Sequence, residues 1–246
     1  DAALAAGSDR YIQESISFLY EDAGDGWVTE ASPLQVPAYA RSTQVAEVEA
    51  ARFAAAGGAG VVLRFALFYG PDSHGTLDLL RLAAHRLPPA PGAAASFISS
   101  IATDDAATAV VAALVVPSGT YNVADDEPVS RGEFGRIVAT ALGVRPPRQG
   151  LSVMARAAGS KTELLMRSQR VANGTFREAS GWVPAFPSVR EGLPATVAAV
   201  RASDPSFARP SGAARVVRLG LAFLAASAAM LGVWALAAPR NFYDTF

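Results

Sequence analysis

The chain has 246 residues, of which 51% are hydrophobic and 17% charged, and it contains no cysteine. This composition excludes a collagen, a disordered tail, a disulfide scaffold and every site built on thiolates. The 21 basic and 22 acidic residues nearly cancel, so no overall positive field attracts a polyanion, and we expect no nucleic-acid partner. The two histidines, His74 and His85, are out of register for a shared metal ion, and we predict no metal site.

Strand-like and helical patterns alternate along the first 200 residues. In chain order they are a strand at 10–20, a helix at 42–57, a strand at 61–70, helices at 75–86 and 104–114, a strand at 120–125 and a helix at 130–143. This order predicts an α/β fold with a parallel sheet covered by helices. We expect Ser130 and Glu133 to form a capping box, and Asp104 and Asp105 to act as helix N-caps.

A dense glycine cluster, Gly57-Gly58-Ala59-Gly60, lies where a helix gives way to a strand. A dinucleotide-binding loop has the opposite order, because it leaves a strand and opens a helix whose N-terminus faces the pyrophosphate. We therefore interpret Gly57 or Gly58 as a left-handed helix C-cap. If the domain binds a dinucleotide, the main phosphate loop is expected upstream of Asp1, and we regard the chain as a fragment of a longer protein.

The last part of the chain differs in composition from the first 200 residues. Residues 201–215 are rich in proline, serine, alanine and arginine and are interpreted as a linker. Residues 219–238 carry no formal charge, and a helix of that length spans roughly 30 Å, the thickness of a bilayer core. We predict a transmembrane helix at 216–240, followed by the start of a truncated tail at 241–246. The alternative is a buried helix of a globular domain.

Arginines are concentrated on one side of the predicted span. Arg215 and Arg218 immediately precede it, with Arg201 and Arg209 further out, whereas Arg240 alone follows it. Positive residues flank membrane helices on the cytoplasmic side. The expected location is therefore the cell membrane, with the globular part, residues 1–200, on the cytoplasmic side.

Nine short motifs follow one another between residues 8 and 195. They are the serine-containing strand end at 14–20, the acidic segment at 22–30 with Pro33 and Pro37, the segment 39–43 with Glu47, and the segments 63–65, 69–71, 101–105, 119–123, 170–173 and 181–184. In this order they resemble the C-terminal part of the NAD(P)-dependent epimerase/dehydratase family of extended short-chain dehydrogenases/reductases. The resemblance implies the second half of a Rossmann-like sheet, a small C-terminal substrate lobe, and NAD or NADP as cofactor.

The resemblance also implies catalytic residues. Tyr39 matches the family's acid/base tyrosine, and Ser15 matches the hydroxyl donor that orients the substrate, with Ser17 as the alternative donor. The lysine expected four residues after the tyrosine is replaced by Thr43, and Lys161, the only lysine, lies far along the chain. Without a nearby ammonium group a tyrosine keeps a pKa of about 10, so a tyrosinate mechanism would be slow.

Further binding residues follow from the same resemblance. Thr43 and Tyr39 would contact the nicotinamide ribose and ring, and Phe65 would pack near the nicotinamide. Arg170, with Asn173 close to it, would hold the anionic end of a ligand, since an arginine fork matches phosphate geometry. Purely structural alternatives stay open for some of these residues: strand-end hydrogen bonding for Ser15 and Ser17, a partly buried aromatic bridging two helices for Tyr39, and a surface salt bridge for Arg170.

Two functional hypotheses remain open. The first is a membrane-tethered, atypical NAD(P)-binding oxidoreductase acting on a small carbonyl or nucleotide-sugar-like ligand. The second is a catalytically silent nucleotide-binding scaffold or sensor that assembles with membrane partners, which explains Thr43 equally well. A homodimer or a membrane-protein partner is compatible with both hypotheses.

Overall fold

The computed structural model describes residues 2–90, 92–147, 163–204 and 207. The predicted transmembrane helix at 216–240, the tail at 241–246 and most of the linker at 201–215 lie outside these residues. Within the described part of the chain, no helix combines the length and the apolar character needed to span a membrane.

The described residues form a mixed α/β structure. The strands are β1 (Arg10–Ile16), β2 (Trp27–Val28), β3 (Ala59–Phe65), β4 (Leu67–Tyr69), β5 (Phe97–Ile98), β6 (Ser100–Ala102), β7 (Gly119–Val123), β8 (Val129–Ser130) and β9 (Arg170–Val171). The helices are α1 (Ala2–Ala5), α2 (Arg41–Ala55), α3 (His74–Ala84), α4 (Thr103–Ala112), α5 (Arg131–Leu142), α6 (Glu163–Met166), α7 (Gly174–Ser180) and α8 (Val189–Ser203). Short 3-10 helices occupy Ser17–Leu19 and Ala38–Ala40.

The central sheet consists of three parallel strands in the order β1-β3-β7. This confirms the parallel α/β arrangement predicted from the alternating pattern. Side chains alternate between the two faces of a strand, so Val61 and Leu63 pack on one face against Ala109 of α4, while α2 covers the other face. Helices therefore lie on both sides of the sheet, as in Rossmann-like folds.

A second apolar core lies where α3, α5 and α8 pack together. Leu80, Phe134, Val138 and Leu193 are fully buried there. Arg201 of α8 donates to the carbonyls of the last turn of α5, where a cation is favoured by the helix dipole. The two cores meet at one end of the central sheet. Its three parallel strands finish at this end, which we call the carboxyl edge.

The structure bears out the predicted cap at Ser130 but not those at Asp104 and Asp105. Ser130 Oγ accepts from the Glu133 backbone N–H at 3.2 Å, as expected, but the Glu133 carboxylate binds Arg190. The prediction for Asp104 and Asp105 was wrong, because α4 begins at Thr103 and both lie inside its first turn. The buried Asp105 carboxylate instead accepts from the backbone N–H groups of residues 185 and 186.

The glycine cluster caps α2, as predicted. Gly57 has a φ of +98°, in the region that side chains rarely adopt. Its N–H binds the Ala54 carbonyl, and the Gly58 N–H binds the Phe53 carbonyl, which together form a Schellman motif. The cluster therefore ends a helix and carries no ligand-binding geometry of the phosphate-loop type.

Gly57→Ala should lower the free energy of unfolding by about 1–2 kcal/mol, because alanine is strained in the left-handed region. Gly174→Ala is the matched control, since Gly174 lies at the start of α7 with open space around its Cα. Urea unfolding of both variants tests this expectation. Equal stabilities for the two variants would contradict it.

Candidate functional site

Polar side chains cross the central sheet one residue before its strands end. Ser15 of β1 pairs in register with Arg64 of β3, and Arg64 pairs with Asn122 of β7. All three are buried. We call Ser15, Arg64 and Asn122 the polar row. Open α/β sheets bind ligands beyond the carboxyl ends of their strands, so the polar row borders the expected binding region.

Glu47 of α2 joins the helix to the polar row. Arg64 donates from Nε to Oε1 at 2.9 Å and from Nη2 to Oε2 at 2.7 Å, and Ser15 Oγ donates to Oε1 at 2.5 Å. Burial disfavours the charge on Arg64, but its hydrogen bonds and the nearby negative charge raise its pKa above the ordinary value. Arg64 therefore stays charged, and the bidentate pair holds the Ser15 hydroxyl in one orientation.

Tyr20 extends the network towards β7. The Arg64 guanidinium lies 4.9 Å from the centre of the Tyr20 ring, and the Tyr20 hydroxyl donates to Asn122 Oδ1 at 2.7 Å. Burial raises the pKa of Tyr20, so it is a neutral donor at physiological pH. Glu30 accepts from the Asn122 backbone N–H at 2.9 Å and from Thr175 Oγ1 at 3.0 Å. The network thus links β1, β3, β7, α2 and α7.

Helix α2 runs antiparallel to the strands it covers. The Phe53 ring near its end lies 5.8 Å from the ring of Tyr11, near the start of β1. Glu47, six residues earlier, contacts Ser15 near the end of β1. Residues that precede Glu47 in the helix therefore lie progressively closer to the carboxyl edge.

This direction places two of the predicted catalytic residues. Thr43 is half-buried and lies one turn before Glu47 on the same face of α2, roughly 6 Å further along the axis. Tyr39 lies in the 3-10 helix that leads into α2, with its side chain 37% exposed. Tyr39, Thr43 and the Ser15 hydroxyl are therefore grouped at the carboxyl edge, while Glu47 neutralises the buried Arg64 beneath Thr43.

Ser17 and Phe65 lie apart from that arrangement. Ser17 is buried in the 3-10 helix that follows β1, so it does not continue the strand alternation of Ser15. Phe65 is buried at the end of β3, on the α4 side of the sheet, with its ring centre 5.1 Å from that of Phe68. Both are packed inside the protein near the carboxyl edge.

Arg170 begins β9, and Asn173 follows that strand. The Arg170 guanidinium lies between the rings of Trp27 and Phe97, at 4.5 and 4.7 Å from their centres. Asn173 Nδ2 donates to the Ala124 carbonyl at 2.8 Å and to Asp126 at 2.7 Å. Asn173 thus fastens β9 and α7 to the end of β7, whereas Arg170 keeps a partly exposed head group.

The sequence interpretation missed the roles of Glu47, Arg64 and Tyr20. A usable signal was present, because Arg64 interrupts an otherwise apolar strand and Glu47 lies on the buried face of an amphipathic helix. A buried charge requires a partner, so each of these two residues predicts the other. Their pairing across α2 and β3 was not visible without the fold.

A separate buried acid lies between the two cores. Asp125 follows β7 and is 2% exposed. Burial, together with the negative charges of Asp105, Asp126 and Glu191, raises its pKa to about 9. Its neighbour Tyr69 is buried as well. Asp125 is therefore uncharged at neutral pH in the folded protein.

No protein-family model matches the chain. A 3-diazoavenalumate denitrifying reductase from a Streptomyces species is 37% identical over 205 residues, which cover 78% of this chain and 66% of that protein. The chain thus spans slightly under two thirds of the length of this curated relative.

Two solved structures show the fold. A UDP-glucose 4-epimerase from Thermus thermophilus in complex with NAD has a TM-score of 0.64 and 24% identity, covering 82% of this chain and 67% of the epimerase. A dTDP-glucose 4,6-dehydratase from Streptomyces venezuelae, DesIV, with NAD and TYD bound, has a TM-score of 0.64 and 22% identity, covering 81% of this chain and 62% of the dehydratase. The chain has the Rossmann-like fold of these NAD-dependent enzymes. Together with the reductase relative, they support the resemblance to the epimerase/dehydratase family.

Glu47→Gln should lower the free energy of unfolding by about 3–5 kcal/mol, because it leaves the Arg64 charge buried without a counter-ion. Glu49→Gln is the matched control on the same helix, where the exposed pair with Arg52 contributes at most about 0.5 kcal/mol. Urea unfolding measures both. Similar decreases in the free energy of unfolding for the two variants would show that the buried pair contributes no more to stability than the exposed pair.

Asp125→Asn should flatten the pH dependence of stability. The folded-state pKa of about 9 lies above the ordinary carboxyl value of about 3.9, so the folded protein binds the extra proton. The free energy of unfolding should therefore fall as pH rises between these values, by about 1.4 kcal/mol per pH unit. Unfolding of wild type and variant between about pH 5 and 8 tests this slope. Asp78→Asn, in a surface pair of α3, should leave the slope unchanged.

Proposed function

We propose that this chain forms the larger part of an NAD(P)-dependent reductase that holds a small ligand at the carboxyl edge of its sheet. The observation that supports this proposal is the contact of Glu47 with Ser15 and Arg64, because it fixes α2, which carries Thr43 and follows Tyr39, against β1 and β3. The reductase relative and the NAD-bound structures of the same fold support it.

The described residues fit a nicotinamide cofactor. The side-chain Nδ2 of Asn122 is buried at the carboxyl edge without a partner among the described residues, and Thr43 offers a half-buried hydroxyl. Thr43 would hold a ribose hydroxyl of the cofactor, and Tyr39 would contact its nicotinamide. When bound, the reduced cofactor supplies a hydride. Phe65 supports this edge from the opposite face of the sheet.

Thr43 limits the chemistry that Tyr39 performs. Without the ammonium group of a neighbouring lysine, only about one part in a thousand of a tyrosine is ionised at neutral pH. Tyr39 is thus a poor base, so oxidation of an alcohol, which needs proton removal, is disfavoured. Its neutral hydroxyl still donates a proton to a developing oxyanion, so reduction of a small carbonyl ligand remains possible.

Reduction of a diazo substrate requires no proton transfer by Tyr39. Hydride addition to the terminal nitrogen of an aryl diazonium ion gives an aryldiazene, which loses N2 and keeps the hydrogen on the ring carbon. No step of this sequence requires a tyrosinate, so it is compatible with Thr43. The name of the Streptomyces relative describes a reductase that acts on a diazo compound. We therefore favour an aryl diazo compound over a carbonyl or nucleotide-sugar-like ligand.

Tyr39→Phe distinguishes these substrates. With the full-length protein and NADPH, reduction of an aryl diazonium salt should be nearly unchanged, because the step needs no proton donor. Reduction of an aromatic aldehyde should fall about 100-fold or more, since general acid catalysis contributes at least that much. Turnover is followed by the loss of reduced nicotinamide absorbance against an enzyme-free control.

Thr43→Lys is the complementary variant. Restoring the ammonium group should increase aldehyde reduction and leave diazonium reduction unchanged, because only the first reaction uses Tyr39.

Cofactor binding is tested before either variant, by calorimetric titration of NAD, NADH, NADP and NADPH into the full-length protein. Failure of all four to bind would reject the reductase in favour of a catalytically silent scaffold or sensor.

The membrane anchor is a further part of the proposal. The uncharged segment 219–238 and the arginines before it support a tether with residues 1–200 on the cytoplasmic side. A homodimer or a membrane-protein partner would be assembled there. Fractionation of cells expressing the protein with and without residues 215–246 tests the anchor, because loss of the segment should release the protein from the membrane fraction.

A further inference from the structure

Trp27, Phe97 and Arg170 form a stacked cluster at the surface. The Arg170 guanidinium carbon lies 4.5 Å from the Trp27 ring centre and 4.7 Å from the Phe97 ring centre. Its Nη1 donates to the Asp25 carbonyl at 3.1 Å, and this hydrogen bond is exposed. The Trp27 side chain is 50% exposed, although a large aromatic side chain is normally buried. The cluster therefore presents both an aromatic face and a cation to the outside.

The charge of Arg170 has no acidic partner within the described ranges. In this respect it differs from Arg64, Arg177 and Arg190, each of which binds a carboxylate. Nε of Arg170 is buried without a hydrogen-bond partner in the same part of the chain. The two rings and the Asp25 carbonyl fix the plane of the guanidinium, so its remaining N–H groups point in fixed directions. A guanidinium group held in this way is preorganised to bind a planar oxyanion.

Backbone contacts connect the cluster to the carboxyl edge. Trp27 pairs with Arg170 in the β2–β9 ribbon, and the Ala172 N–H binds the Val28 carbonyl at 2.8 Å. Two residues after Val28, Glu30 accepts from the backbone N–H of Asn122 in the polar row. The segment from Trp27 to Glu30 therefore joins the cluster to the polar row.

We propose that Trp27, Phe97 and Arg170 bind the carboxylate of a planar aromatic acid, which anchors the substrate of the proposed reductase. The inference rests on that proposed function and adds the substrate class. The outward N–H groups of Arg170 bind the two carboxylate oxygens, and the aromatic ring stacks on the exposed part of the Trp27 ring, on the same face as the guanidinium. A single cation matches the single charge of a carboxylate, whereas a nucleotide diphosphate carries at least two charges.

Tryptophan fluorescence of the full chain tests the site with 4-hydroxycinnamate as probe. Saturable quenching is expected for the acid, with at least about tenfold weaker binding for its methyl ester, because the charge-assisted hydrogen bonds are lost. Arg170→Gln should weaken binding of the acid by a similar factor, and Arg170→Lys should restore part of it. Trp27→Phe should remove the saturable quenching component, since Trp182 is buried elsewhere and Trp234 lies in the uncharged segment 219–238, far along the chain from the cluster.

Arg52→Gln, at an exposed arginine of α2, is the matched control and should bind the acid normally. Equal binding of acid and ester to the wild-type chain overturns the proposal without reference to any variant. Binding of UDP-glucose that depends on Arg170, with none of the aromatic acid, also overturns it. A separate titration of the full-length protein with NADPH distinguishes the two proposals. If NADPH does not bind, the reductase is rejected, whereas binding of the acid reports on the cluster alone.

Discussion

The ion pair between Arg64 and Glu47 is the interaction on which the carboxyl edge depends. Removing two charges from water is costly, and the cost is offset only where the geometry is good and the remaining polar atoms are satisfied. Here the pair is bidentate, Ser15 donates to the same carboxylate, and the Tyr20 ring lies against the guanidinium. These requirements fix the position of α2 along its own axis relative to β1 and β3. A shift of α2 by one turn would leave both charges buried and unpaired.

The position of the candidate site follows from that constraint. Because α2 is held at Glu47, the segment before it places Thr43 and Tyr39 beyond the ends of the strands. The second half of the chain is fastened to the same edge by hydrogen bonds to the backbone, through Asn173 and Asp105. The site is therefore formed between a rigid parallel sheet and elements that follow it in sequence, where open α/β sheets commonly bind ligands.

Arginines in this protein serve distinct purposes that depend on their partners. Arg64 is neutralised by a buried carboxylate, and the buried Arg131 donates to main-chain carbonyls, including those of residues 97 and 165. Burial lowers the pKa of Arg131 to about 10, against a smaller opposing effect of Asp22. Arg170 differs from both, because aromatic rings hold it at the surface. A cation in that setting is available to a ligand.

The sequence alone determined the parallel α/β class and the helix end at Gly57, and its motifs, through the family resemblance, predicted a site with Ser15, Tyr39 and Thr43. These features depend on local periodicity, on the φ preference of glycine and on the order of motifs along the chain. The same sequence left open whether Arg170 bound a ligand or a surface acid, and it assigned Asp105 to a local cap.

Only the tertiary structure shows the neighbours of these two side chains, because those neighbours lie far away in the chain. Asp105 binds the main chain 80 residues later, and Arg170 meets Trp27 and Phe97 through the pairing of β2 with β9. The partner of Glu47 is likewise chosen by the crossing of α2 over β3. Periodicity gives the face on which a side chain lies, but the neighbour that it meets is set by the packing of elements against one another.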